Sequence, residues 1–180
     1  MQRLARRHGL VVYSIHGPIL PLPGWGDTAE NIKRLLRYAV EMEPPPLVVL
    51  HVPKTRDIYR DENGLRFLEA LASWRAHFRR RAVQIALETP GLFYAEDRTF
   101  ELLDIEALHA FAEQEDTQLV LDTVHVGTLS YDLLDAYRLF RGRLANVHFS
   151  DIGYPPRLLD RPVFDTYVKH HQLPGDGWLP

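Results

Sequence analysis

The 180-residue chain has no cysteine, which excludes thiolate catalysis, disulfide bonds and cysteine-based zinc sites. No apolar run approaches the roughly 20 residues needed to cross a bilayer, so we expect no membrane association. The basic N-terminus is not followed by the apolar core of an export signal, and we therefore expect a cytoplasmic protein. The net charge of −3 provides no general attraction to nucleic acid or anionic lipid.

Motifs for common cofactors and nucleophiles are also missing. The sequence has no GxGxxG fingerprint, no Walker A loop and no GxSxG nucleophile elbow. The glycine-containing loops at 24–27 and 174–177 therefore do not match a known phosphate-binding motif.

The chain does contain a regular alternation of strand and helix patterns. The predicted strands are continuously apolar, which is typical of parallel strands buried on both faces. Their spacing predicts βαβ units, in either a (β/α) barrel or an open doubly wound sheet. No linker interrupts the pattern, so we expect residues 1–180 to form a single domain. The predicted strands are 9–18, 44–53, 82–91, 117–125 and 143–151, with a weaker sixth within 164–177, and the predicted helices are 26–43, 63–82, 102–116 and 130–142.

Capping residues support two of these helices. Asp27 is a candidate N-cap for the first, and Glu30 three residues later completes a capping-box pattern. Ser130 is the candidate N-cap of the last helix, and Gly142 lies at its end.

Polar side chains of the types that bind metals lie at the C-terminal ends of successive predicted strands. In a (β/α) barrel these ends converge on one rim, where active sites are built. Histidine and carboxylate donors without cysteine suit Zn, Mn, Co, Fe or Mg. The sequence therefore predicts a shared divalent-metal site. The candidate residues are His16, His51, Glu88, Asp122, His125, His148, Asp151 and His171.

Each of these residues also has a simpler interpretation. A single histidine at a strand end is more often a hydrogen-bonded structural residue, Asp122 could cap the following loop, and Glu88 could lie in an exposed turn. A buried strand end, however, is a costly place for a carboxylate without a partner. Five strands ending this way favour a common site. We interpret His8, His77 and His109 as surface residues and Lys54 as a solvated lysine.

The order of these motifs resembles the xylose isomerase-like TIM barrel superfamily. The resemblance covers nearly the whole chain, and its sharpest parts are "LDTVH" at 121–125, "VHFSD" at 147–151 and the HxxxGxG of 171–177. The superfamily includes sugar isomerases and epimerases, inosose dehydratases and the endonuclease IV branch, also called AP endonuclease family 2. The resemblance implies a (β/α) barrel and a divalent cofactor such as Zn, Mn, Co or Mg.

The resemblance also implies roles for individual residues. Glu88, Asp122 and His148 match three of four ligands of a central metal, and Glu88 matches a carboxylate that moves protons in the epimerases. His16 and His51 match positions that bind substrate in the sugar enzymes and an additional zinc in the nucleases. His125 and His171 match two ligands of a third zinc in the nucleases. Lys169 occupies the position where that third zinc has an aspartate ligand.

One departure from the superfamily pattern concerns the barrel itself. The family barrel has eight strands, whereas this sequence begins with a helix pattern and stops before an eighth strand. The fourth metal ligand, a glutamate, lies on that last strand. We therefore expect an incomplete barrel with two open sheet edges, and association with another copy of the chain through those edges.

Three functions remain open at this point. The first is a metal-dependent isomerase or epimerase acting on a small sugar or sugar phosphate. A metal would stabilise the enediolate and Glu88 would act as general base. Without the missing glutamate, we expect little epimerase activity from this chain alone. The second is an endonuclease IV-like zinc phosphodiesterase at abasic DNA sites, which the many histidines favour and the charge balance disfavours. The third is a degenerate barrel that binds a metal or ligand without turnover.

Overall fold

A computed structural model describes residues 2–18, 27–129, 131–153 and 171–179. Five β-strands and six α-helices occur in these residues, and the strands alternate with helices up to β4, after which α5 and α6 both precede β5. The strands are β1 (Ser14–His16), β2 (Leu47–His51), β3 (Ile85–Glu88), β4 (Gln118–Asp122) and β5 (Leu144–His148). The helices are α1 (Gln2–Arg7), α2 (Thr28–Val40), α3 (Glu62–His77), α4 (Ile105–Glu115), α5 (Thr123–Thr128) and α6 (Leu133–Phe140).

The five strands form one parallel sheet in chain order, β1-β2-β3-β4-β5. Sequential parallel order with intervening helices is the arrangement of a (β/α) barrel, so the predicted barrel-type fold is confirmed, with five strands among the described residues. The register aligns the strand ends, since His51 pairs with Glu88 and Asp122 pairs with His148. Side chains from four strands are thereby brought to one rim of the sheet.

The three central strands, β2, β3 and β4, are buried on both faces, as their continuously apolar pattern predicted, whereas the edge strands β1 and β5 are partly exposed. On the outer face, strand side chains such as Val48 and Leu50 pack under helix residues including Leu36 and Phe67. The inner face has its own small cluster of Leu47, Val49, Ala86 and Val120. Tyr13, just before β1, donates a hydrogen bond from its hydroxyl to the carbonyl of Ala145 on β5, at 2.7 Å. The two edge strands therefore approach one another across a curved sheet.

Helices α2 and α3 begin within two residues of their predicted starts, whereas α4 and α6 begin three residues later than predicted. The Asp27 side chain accepts a hydrogen bond from the Glu30 amide, so it caps α2 as predicted. Helix α6 begins at Leu133 and is capped by Asp132, while the predicted cap Ser130 lies outside the described residues.

The end of the fourth strand was predicted wrongly. The apolar pattern predicts a strand over 117–125, but β4 ends at Asp122 and Thr123–Thr128 form α5. The Asp122 carboxylate accepts a hydrogen bond from the His125 amide, and this capping bond starts a helix within an apolar stretch. His125 consequently lies on a helix, one turn beyond the strand end.

The predicted sixth strand falls mostly on residues outside the description. In 171–179, the part that is described, the only strand-like feature is a single antiparallel bridge between Asp151 and Gln172. Across the described ranges, no further strand pairs with the outer edges of β1 and β5. None of the helices in those ranges is both long and apolar enough to span a membrane.

Candidate metal centre

The centre of the rim is Glu88, whose side chain is only 2% exposed at the end of β3. Histidines from three other strands contact its two carboxylate oxygens. His16 Nε2 lies 2.7 Å and His51 Nε2 3.2 Å from Oε2, and His148 Nδ1 lies 2.5 Å from Oε1. A buried carboxylate is thus surrounded by imidazoles that approach it from both sides.

A second buried carboxylate, Asp122, lies beside this cluster. One of its oxygens is 3.8 Å from Nδ1 of His148, and the other accepts the His125 amide of α5. The Asp122 amide donates to the hydroxyl of Thr89, which fixes the end of β4 against the end of β3. This carboxylate therefore faces the histidine of the neighbouring strand while it caps its own helix.

Two further imidazoles complete the rim. The ring of His125 lies 5.9 Å from that of His171 and 5.5 Å from the ring of Phe93. His125 Nδ1 is 2.7 Å from the Thr89 carbonyl, and because a carbonyl oxygen only accepts, Nδ1 carries a proton. His171 Nδ1 lies 2.9 Å from the Ser150 hydroxyl.

The structure brings all seven residues with a predicted site role into three overlapping donor groups. Within each group, one ligand atom per residue lies within 4.8 Å of the others. The first group is His16, His51 and Glu88; the second is Glu88, Asp122 and His148; the third is Asp122, His125 and His171. Glu88 and Asp122 each belong to two groups, so the three groups form one continuous array.

The electrostatics of the array are dominated by Glu88. Burial alone would raise the pKa of Glu88, but hydrogen bonds from His148 and His16 hold it well below its ordinary value. The hydrogen bond to Glu88 in turn raises the pKa of His148. Burial lowers the pKa of His16, yet its bonds to Glu88 and Gly17 together leave it raised. Burial lowers the pKa of His51 to about 4, so that ring is neutral at pH 7.

The donor set fits a divalent cation. Both ring nitrogens of His16 face oxygen atoms, Nδ1 towards the Gly17 carbonyl at 2.7 Å and Nε2 towards Glu88. A neutral imidazole has one N–H, so this ring needs either a second proton or a cation shared with the carboxylate. Imidazole nitrogens and carboxylate oxygens converging in this way are ligands suited to Zn, Mn, Co and related ions.

Asp151 was singled out as a strand-end candidate, but it is not in the array. Its carboxylate accepts four backbone N–H groups instead. Lys54 is exposed, as expected for a solvated lysine, but its ammonium also forms an ion pair with buried Asp97 at 2.6 Å. Asp97 lies on the loop beyond the end of β3, and no sequence signal connected it with Lys54.

The remaining histidines are away from the array. His8 and His77 are exposed, as predicted. His109 is not a surface residue, since its side chain is only 20% exposed and its ring stacks on Phe140 at 6.2 Å. Its place on the buried side of α4 explains the difference.

A parallel (β/α) arrangement with a histidine- and carboxylate-lined rim defines a class of barrel proteins. The family model of the xylose isomerase-like TIM barrel matches residues 1–180, and the chain belongs to this family. No curated protein is significantly similar to the chain.

Solved structures share the fold at low sequence identity. The 3-keto-D-glucoside 4-epimerase of E. coli superposes with a TM-score of 0.60 at 17% identity, over 83% of this chain and 62% of the epimerase. A xylose isomerase domain protein of Planctomyces limnophilus gives 0.62 at 13%, over 89% and 60% of the respective chains. A probable 3-DHS dehydratase of Bacillus anthracis gives 0.52 at 16%, over 80% and 51%. The chain thus spans half to three fifths of these structures.

Proposed function

We propose that this chain has the site of a metal-dependent sugar isomerase or epimerase. The observation that carries the proposal is the set of contacts that Glu88 makes. This carboxylate is almost completely buried, yet imidazoles contact both of its oxygens and a second carboxylate lies in the same array. A structural neighbour named as a keto-glucoside epimerase supports a small carbohydrate as the substrate class.

The second donor group, Glu88, Asp122 and His148, would hold the ion. A divalent ion at this position would supply a Lewis acid that polarises the carbonyl of a keto-sugar and stabilises negative charge on the adjacent hydroxyl. The remaining chemistry belongs to the side chains of the chain itself.

Glu88 is the proposed general base. Its strongly lowered pKa makes it a weak base while His16 and His148 donate to it, because a good proton acceptor has a pKa near the working pH. A substrate hydroxyl must therefore replace Glu88 as the hydrogen-bond partner of one of these imidazoles before Glu88 can accept a proton from carbon. His51, which is neutral at pH 7, can donate to or accept from a hydroxyl without changing the charge of the site.

Deuterium exchange tests this proposal. Protein loaded with Mn, Co or Zn is incubated with a panel of ketoses and ketose phosphates in deuterated water, and proton NMR follows the carbon next to the carbonyl. We expect exchange at that carbon to exceed net epimerisation, since Glu88 is the one general base that we propose. Glu88→Gln should abolish exchange and Glu96→Gln, on the exposed loop after β3, should retain it. Robust epimerisation that persists in Glu88→Gln would overturn the proposal.

A zinc phosphodiesterase is the second candidate function, and one observation favours it. His16 and His51 form a donor group with Glu88 that is additional to the one an epimerase needs. Shared carboxylates can hold two ions roughly 4 Å apart, which is the clamp used in phosphodiester cleavage. Zinc stoichiometry by elemental analysis separates the candidates. One ion per chain supports the isomerase, while two or three ions with cleavage of abasic DNA would support the nuclease.

A third possibility is a barrel that binds without turnover. A site that binds a cation but gives neither carbon–deuterium exchange nor phosphodiester cleavage would support it. If no divalent ion raises the melting temperature, the donor array has no metal function.

We also propose that the outer edges of β1 and β5, which pair with no other strand among the described residues, associate with a second copy. The flanks of β1 and β5 expose apolar side chains, with Val11 69%, Tyr13 63% and Phe149 70% exposed. Unpaired parallel edges with apolar flanks favour pairing between chains. Light scattering should give a mass above 20.8 kDa, and Phe149→Lys should reduce it. A monomer at all concentrations would contradict this proposal.

A further inference from the structure

Residues 171–179, here called the return segment, are bound to the chain just after β5. The Asp151 amide donates to the Gln172 carbonyl at 2.9 Å, and the Gln172 amide donates back to the Asp151 carbonyl at 2.7 Å. The Trp178 amide donates to the Ile152 carbonyl at 2.9 Å. Both ends of the return segment are therefore held against the same short stretch of backbone.

The side chain of Asp151 supplies most of the remaining contacts. One oxygen accepts the amides of Gly175 and Gly177 at 3.1 and 3.0 Å, and the other accepts those of Ile152 and Leu179 at 2.7 and 2.9 Å. The residue is only 4% exposed. Burial would raise the pKa of Asp151, but these amide donors hold it below its ordinary value. The carboxylate is thus fully used in binding backbone and has no role as a ligand.

Two glycines permit this close approach. A side chain on Gly177 would overlap the Asp151 carboxylate and the Ile152 carbonyl. A side chain on Gly127 in α5 would overlap the Leu179 side chain. The return segment therefore fits tightly against both the end of β5 and the helix that carries His125.

The consequence of this packing is the position of His171, the first residue of the return segment. His171 follows a stretch outside the described residues, and it contacts the rim through the Ser150 hydroxyl. Its ring belongs to the third donor group, together with Asp122 and His125. Of these three residues, His171 is the one that does not lie on a strand end or the helix that follows it.

We propose that Asp151 is a positioning residue that holds the return segment so that His171 stands beside Asp122 and His125. The cation-binding consequence rests on the proposed function, whereas the placement of His171 does not. A neutral amide at position 151 keeps one acceptor oxygen and turns an NH₂ towards backbone donors. Such a change releases the return segment while leaving Glu88, His16 and His51 in place.

Hydrogen exchange by mass spectrometry tests the placement in metal-free protein. Asp151→Asn and Gly177→Ala should each raise the exchange rate of the 172–179 amides at least about tenfold, because docked amides exchange only through local opening. Amides of β3 and β4 should be unaffected. Asp176→Asn removes an exposed carboxylate from the same segment and should match wild type. Unchanged protection of 172–179 in both Asp151→Asn and Gly177→Ala would overturn the proposal.

Zinc titration calorimetry then separates positioning from general destabilisation. Because His171 stands beside Asp122, a ligand of the proposed ion, Asp151→Asn should weaken zinc binding about 10-fold or more, the usual effect of losing an outer-shell partner. The same change should cost nothing further in a His171→Ala background. An equal loss in both backgrounds would contradict a positioning role. If wild type binds none of zinc, cobalt and manganese, the proposed function fails, and hydrogen exchange alone decides the role of Asp151.

Discussion

Replacement of Glu88 by glutamine tests the array most sharply, because this carboxylate belongs to two of the three donor groups. A cation present at 100 times its dissociation constant stabilises the folded state by about 2.7 kcal/mol. For a chain of this size each kcal/mol moves the melting temperature by roughly 2–4 °C, so wild type should gain about 5–11 °C.

The variant should lose most of that gain. Outer-shell changes cost roughly 10–100-fold in affinity, so losing a charged ligand is expected to cost at least about 100-fold. The same cation concentration then equals the dissociation constant, and the stabilisation falls to about 0.4 kcal/mol, or roughly 1 °C. The loss of charge leaves the fold intact, since a glutamine side chain has the same size as the glutamate that it replaces.

The assay is thermal unfolding followed by circular dichroism with Zn, Co or Mn, and each variant is referred to its own scan in EDTA. Glu96→Gln is the matched control, because Glu96 is an exposed carboxylate on the loop after β3. It should show the wild-type shift. An equal shift in Glu88→Gln, or no shift in wild type with any of the three ions, would refute the reasoning.

Two further predictions concern the metal-free protein. The lowered pKa of Glu88 stabilises the fold above its ordinary value of 4.5, and the raised pKa values of His16 and His148 do so below 6.5. In EDTA, the melting temperature of Glu88→Gln should therefore lie furthest below that of wild type between pH 4.5 and 6.5, and the two should converge at alkaline pH. A difference in melting temperature that does not change with pH would contradict the ion pairs. Gly64→Ala should destabilise by about 1–3 kcal/mol, against the usual benefit of alanine in a helix, because its methyl group would overlap the backbone of buried Ile58. Chemical denaturation checks this, and a stabilised variant would show that the backbone around Ile58 can move.

A control for the glycine prediction is available in Gly142. A side chain there would meet no atom within 4 Å of its Cβ, so Gly142→Ala should have little effect on the free energy of unfolding. A large loss at Gly142 would mean that backbone conformation, rather than overlap, decides the cost at both glycines.

The strand pattern was sufficient to predict the rim, because residues at the carboxyl ends of parallel strands must meet. His16, His51, Glu88 and His148 were placed correctly by that rule alone. Their relative geometry was not predictable. It depends on the register between strands, which pairs His51 with Glu88 and brings two imidazoles onto one carboxylate oxygen.

Two of the errors, the end of β4 and the assignment of Asp151 to the site, arose where a side chain bonds to backbone. Asp122 and Asp151 have the same strand-end pattern in the sequence, and both accept backbone amides. Asp122 uses one oxygen in this way and keeps the other near His148, while Asp151 uses both. Hydrogen bonds between distant parts of the chain decide this difference, and a local sequence pattern contains no information about them.

The central claim is that Glu88, Asp122 and His148 bind one divalent ion together. Anomalous diffraction from crystals soaked with cobalt, recorded on both sides of the absorption edge, locates such an ion directly. We expect an anomalous peak about 2.0–2.2 Å from ligand atoms of all three residues. No peak at the rim, or a peak bound by other residues alone, would contradict it.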